Sequence, residues 1–126
     1  MPNRAKSAAA GAAMPEIPIS EIKADLFRAL SHPARIRILE VLADGERSVG
    51  DMAPLVGIEA SHLSQQLAVL RRAGLVSTRK EASSVFYAIR DPATVELLVV
   101  AKRILINSLA GSTELLAGLR SVSAIR

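Results

Sequence analysis

The chain has 126 residues and a net charge of +4; half of its residues are apolar, and Phe27, Phe86 and Tyr87 are its only aromatics. That length suits one compact domain, whose core must be built from Leu, Ile, Val and Ala. Without cysteine, disulfides, thiolate metal sites and thiol redox chemistry are excluded, and no apolar run reaches the roughly 20 residues a membrane-spanning helix needs.

Residues 1–18 are alanine-rich and interrupted by Pro15 and Pro18, which predicts a flexible arm. The arm carries Arg4 and Lys6 but no apolar h-region, so a signal peptide is not expected and a cytoplasmic protein is. Ser20 is a candidate cap for a first helix that spaces Ile22, Leu26, Phe27 and Leu30 along one face. His32-Pro33 ends that helix and opens a second, with Ile36, Leu39, Val41 and Leu42 inward, stopped at Asp44-Gly45. Ser48 and Asp51 suggest a variant capping box for a short third helix with Met52, Leu55 and Val56 inward, bent or tightened at Pro54 and broken at Gly57. A fourth helix follows from about residue 60 to Arg72 on a Leu63, Leu67, Leu70 seam; Glu59 is a poor cap, which leaves its start loosely defined. Gly74 fits the left-handed position after that helix. Two strands, Leu75–Lys80 and Ser84–Ile89, flank a small polar turn. A fifth helix starts at Asp91-Pro92 and runs to about Leu109, and a last short one covers Thr113–Leu119.

The expected fold is mainly α with a small β-hairpin, in the order α-α-α-α-β-β-α. A domain over 19–119 follows the arm, and a tail over 120–126 ends the chain. Helix, glycine turn, helix and hairpin in succession is the winged helix-turn-helix arrangement.

Between residues 60 and 90 lie Arg71, Arg72, Arg79, Lys80 and Arg90 against Glu81 alone, so this segment carries the whole net excess of +4. A local excess of that kind suits a polyanion, although a solvated basic face has the same composition. The fourth helix offers Ser61, His62, Ser64, Gln65 and Gln66 beside its leucine seam. Gln donates and accepts together, matching the N6 and N7 edge of adenine, and Ser reaches base or phosphate. Arg71 and Arg72 suit phosphates or the helix dipole, and Arg79, Lys80, Ser83 and Ser84 make a wing that follows the backbone or enters a minor groove. Double-stranded DNA is the expected partner. An adaptor that has lost DNA binding would carry acidic or apolar residues at these positions. An enzyme would need a nucleophile, a base and an orienting carboxylate together, which the Ser61-His62-Ser64 stretch does not provide.

The runs LSHPARIRILEVLADGE, SVGDMAPLVGIEASHLSQQLAVLRRAGLVSTRKE and VFYAIRD, in that order, resemble the ArsR/SmtB family of bacterial repressors over about residues 20 to 110. The resemblance implies a homodimer formed by the first and fifth helices, bound to an inverted-repeat operator with its reading helices roughly 34 Å apart. Such a protein typically represses its own operon until it senses a signal. The apolar surplus on those helices places Ile22, Leu26, Leu98, Val99, Lys102 and Ile106 at the interface. The metal-sensing pattern of the family is not matched. Ser48 and Gly50 stand where sensor cysteines would, and the fifth helix opens with Asp91, Pro92 and Ala93 and contains no histidine. His32 and His62 alone cannot supply the roughly four donors that zinc takes, so no metal or other cofactor is expected. An unidentified small-molecule effector remains the open alternative.

Overall fold

The computed structural model describes residues 17–109 and 117–120. The 1–16 part of the expected arm, residues 113–116 of the expected last helix and the tail beyond residue 120 lie outside the described residues.

Helix α1, Ile19–Leu30, starts directly after Pro18, so Ser20 is inside its first turn and caps nothing. Only Ala29 and Leu30 of this helix are buried, and Ile22 and Phe27, from the same apolar set, are exposed. Helix α2, Pro33–Leu42, opens on the His-Pro pair for two reasons. Pro33 fixes a helical φ where its missing N–H is not needed, and the Ala34 N–H donates to His32 Nδ1 over 3.1 Å. Ile38 and Leu39 carry α2 through the centre of the core.

A two-residue strand β1, Arg47–Ser48, precedes helix α3, Val49–Val56. The Asp51 N–H donates to Ser48 Oγ over 3.2 Å, satisfying one orphan donor of the first turn. Met52 and Val56 are buried, whereas Leu55, expected inward, points to solvent. Pro54 is accommodated inside α3, which stays α-helical to Val56 without the tightened end expected there. The carbonyl that loses its donor belongs to Gly50, which is exposed and can bond to water instead. Gly57 then adopts φ +85° and reverses the chain into helix α4, Ala60–Arg72. Glu59 takes the cap position of α4 without a side-chain bond.

Helix α4 ends in a Schellman motif. Leu75 N–H reaches the Leu70 carbonyl at 3.0 Å and Gly74 N–H the Arg71 carbonyl at 3.0 Å, with Gly74 at φ +78°. Strands β2, Val76–Glu81, and β3, Ser84–Ile89, form the hairpin across an Ala82-Ser83 turn. The sheet has three strands rather than two, ordered β1-β3-β2 and antiparallel, with Arg47 opposite Tyr87 and Ser48 opposite Phe86. Helix α5, Ala93–Ser108, closes the described fold. Of its sixteen residues only Thr94 and Leu98 are buried, so most of its apolar surface is uncovered within one chain. Among the described residues no helix is long and apolar enough to cross a membrane.

Candidate nucleic-acid interface

The α3–α4 unit is held from beneath by α2. Met52, Val56, Leu63, Leu67 and Leu70 are all at 0% exposure, packed with Ile38 and Leu39. Burial at positions 63, 66, 67 and 70 defines one stripe of α4, and a helical repeat of 3.6 residues turns 61, 65, 68 and 72 to the opposite side. Ser61, Ser64 and Gln65 are exposed there, together with Arg71 and Arg72. Short and amide side chains, with no carboxylate among them, can approach base edges closely.

Gln66 does not belong to that face. It is buried at 9% exposure and both ends of its amide have partners. Arg35 Nη1 donates to Gln66 Oε1 over 2.9 Å, Arg35 Nε to the Ala29 carbonyl over 2.7 Å, and Arg35 Nη2 to the Arg28 carbonyl over 3.2 Å. One guanidinium thus fastens the end of α1 to the reading helix. Gln66 Nε2 lies 3.2 Å from His62 Nε2, so the same amide also reaches the His62 ring. The His62 ring is exposed at the flank of the reading face and meets His32 edge to face at 6.4 Å between centroids. Gln66 is therefore a structural tie, corrected from its expected role as a base reader. The cause is a partner 31 positions away, invisible to local periodicity.

The wing departs from expectation in the same way. Arg79 binds Glu46 in a two-pronged pair, with Nε to Oε2 at 2.7 Å and Nη2 to Oε1 at 2.8 Å. Its Nη1 reaches Glu81 at 2.6 Å, and its guanidinium lies 4.7 Å over the Phe86 ring. Its charge is spent on two carboxylates, so it fixes the wing to the loop after α2 rather than offering a cation to phosphate. Lys80, Ser83 and Ser84 are exposed at the wing end. The Arg90 guanidinium lies next to Gly74, so Arg71, Arg72 and Arg90 gather at the C-terminal end of α4. Arg90 was legible only as part of a charge count.

The Arg79 guanidinium beside Glu46 holds that carboxyl below its ordinary value of 4.5. A carboxyl lowered in the folded state contributes stability above its unfolded pKa and loses it as pH falls through the folded one. Wing anchoring is therefore expected to be complete at neutral pH and released below about pH 4.5. Amide-exchange protection factors of residues 76–89, corrected for the intrinsic rate at each pH, should fall over that range, and Glu46→Gln should remove most of that fall while leaving α2 to α4 unaffected.

Of the residues expected at the dimer interface, Leu98 is in the core of its own chain at 8% exposure. It shares a helical stripe with buried Thr94, which turns it toward α2. Leu26, Val99, Lys102 and Ile106 are half-buried and Ile22 is exposed. Ile19, also part of the apolar surplus expected on these helices, is exposed, and Phe27, Val100, Ile104 and Leu105 add exposed apolar surface beyond it. Among the described residues no three His, Asp or Glu side chains gather closely enough to hold a metal ion.

These features have close counterparts. The profile of bacterial regulatory proteins of the arsR family matches residues 32–78. The HTH-type transcriptional regulator Rv0081 of Mycobacterium tuberculosis is 47% identical over 82% of this chain and 92% of its own length. Its crystal structure superposes with a TM-score of 0.70 at 46% identity, covering 78% of this chain and 99% of that one. The transcriptional repressor BigR of Xylella fastidiosa gives 0.64 at 36% identity, over 68% of this chain and 87% of its own. The homodimeric winged helix-turn-helix DNA-binding domain of Mb0332 from Mycobacterium bovis gives 0.66 at 28% identity, over 72% and 84%. With this sequence identity and this coverage, the chain belongs to the arsR family of bacterial regulatory proteins: it is a winged helix-turn-helix transcription regulator and not an enzyme.

Proposed function

We propose that the protein is a cytoplasmic, homodimeric repressor that binds an inverted-repeat operator, its own promoter included, and places α4 of each protomer in successive major grooves. The observation that carries this reading is the division of α4 into a buried leucine seam and an exposed face of Ser61, Ser64 and Gln65. His62 flanks the base-reading face, Arg71, Arg72 and Arg90 hold phosphates at the end of the helix, and Lys80, Ser83 and Ser84 contact the backbone from the wing. Dimerisation is supported by Ile22 at 50%, Phe27 at 55% and Ile104 at 58% exposure, apolar surface that a monomer would leave in water. Leu26, Val99, Lys102 and Ile106 complete that seam. The homodimeric Mb0332 domain and the repressor BigR support the same assembly and sense of regulation. A chain without cysteine does not use a thiol oxidant as its signal, and the histidine-free α5 argues for an organic effector over a metal ion.

Binding of the full chain to the DNA upstream of its gene, followed by anisotropy across a salt series, tests this. Lys80→Ala is expected to weaken binding to specific and random DNA alike and to reduce the salt slope by about one. A reporter driven by that promoter should rise when the gene is deleted; a fall would make the protein an activator.

A further inference from the structure

The two helices of the dimer seam are joined to the reading unit by few fully buried side chains. Helix α1 buries Ala29 and Leu30, and α5 buries Thr94 and Leu98. Ile22, Phe27 and Ile104 on the same helices face outward. A partner seated on that surface holds α1 firmly, but it holds α4 only as firmly as α1 is held to the body. Arg35, in the first turn of α2, supplies the polar part of that hold. Its Nε and Nη2 donate to the carbonyls of Ala29 and Arg28, in the last turn of α1, where a helix runs out of its own donors. Its Nη1 donates to Oε1 of Gln66, midway along α4. Among the described residues no carboxylate pairs with Arg35, so its hydrogen bonds run to neutral acceptors on α1 and α4. A planar fork bonded to two helices at once fixes their relative setting, which a flexible ammonium does not do.

That setting has a consequence on an inverted repeat. Each base pair added between two half-sites moves one of them by about 3.4 Å and turns it by about 34–36°. A dimer whose reading helices keep one separation loses a half-site on such a duplex; a dimer whose reading helices drift keeps both. We propose that Arg35 is a positioning residue: through α1 and Gln66 it fixes the separation of the two reading helices and makes the protein selective for half-site spacing. This rests on the homodimer and operator reading above, and part of its test is made without DNA so that the two fail separately.

The chain has no cysteine, so Ser61→Cys carries a single nitroxide on each α4 of the full-length dimer. Pulsed dipolar EPR without DNA should give one narrow distance between the two labels. Arg35→Met and Gln66→Met keep side-chain bulk and cut the tie at one end or the other, and both should broaden that distance. Gln66→Met leaves the bonds from Arg35 to α1 in place, so it decides the question if Arg35→Met does not fold. Val56→Ala, a core change in α3 that lowers the melting temperature without touching the tie, should leave the distance narrow. On DNA, the protected duplex from upstream of the gene is rebuilt with two base pairs added at its centre. Unlabelled wild type and Val56→Ala should lose about tenfold or more in affinity on that duplex relative to the natural one, whereas Arg35→Met and Gln66→Met should lose about threefold or less. The ratio is read within each variant, so a general weakening of DNA binding does not move it. Narrow distances and a retained spacing preference in Gln66→Met overturn the positioning role, and so does an equal loss in Val56→Ala. Broadened distances with the spacing preference intact overturn the selectivity. Absence of any distance between the labels sinks the homodimer reading and this role with it. A narrow distance in a protein that binds no DNA sinks the operator reading alone, and the distances in the variants still decide whether Arg35 sets the separation.

Discussion

Replacing Gln65 by alanine is expected to lower affinity for the preferred DNA site by about 1–3 kcal/mol, while affinity for random DNA stays within experimental error. The reasoning is geometric. Gln65 is exposed on the side of α4 opposite the leucine seam and close to its N-terminal end, where a helix laid in the major groove meets base edges. Its amide can donate and accept at one base pair, and truncation to a methyl group forfeits both bonds without altering the phosphate contacts that dominate nonspecific binding. The neighbouring Gln66→Ala should behave in the opposite way. That substitution strands Arg35 Nη1 in a half-buried position and loosens α4 on α1, so stability falls and binding to all sequences falls with it. Two adjacent glutamines with contrasting phenotypes, measured by anisotropy on operator and scrambled duplexes together with thermal melts, separate reading from scaffolding.

The largest effect on stability is expected at Leu67. Its side chain is at 0% exposure among Ile38, Leu39, Met52, Leu63 and Leu70, where α2, α3 and α4 meet. Leu67→Ala removes buried methyl groups and leaves a cavity that three helices cannot close together, at a cost of about 2–5 kcal/mol. Against a total stability of about 5–15 kcal/mol for a domain, that is a large share. At about 4–8 °C per kcal/mol, the melting temperature should drop by about 8 °C or more. Denaturation at fixed protein concentration checks this, because dimer formation makes melting concentration-dependent. An unchanged midpoint would mean that α4 does not rest on this seam.

What the sequence made legible was whatever is encoded locally. Leucines at 63, 67 and 70, glycines at the two reversals, and β-rich segments on either side of a polar turn place α4 and the wing within a residue or two. The positions that were misjudged depend on partners far along the chain. Strand β1 has two residues and exists only because β3, nearly forty positions later, offers it an edge. Gln66 sits where a helical wheel is ambiguous, and Arg35 decides its fate. Arg79 looks like a phosphate ligand until Glu46, on the far side of the reading unit, closes on it. Leu98 has the pattern of an interface residue, yet the stripe it shares with Thr94 turns it into its own core. At the chain ends of helices the errors were chemical rather than topological: Pro18, not Ser20, precedes α1, because a fixed φ can start a helix without any side-chain cap.

The central claim is that two copies of α4 occupy the major groove through Ser61, Ser64 and Gln65. Methylation protection of guanine N7 atoms on the upstream DNA reports on that groove directly. The account predicts two protected patches on one face of the duplex, about one helical turn apart, with the pattern weakened at matching positions in both patches by Gln65→Ala. Firm binding to the same DNA with every guanine N7 still reactive would contradict it.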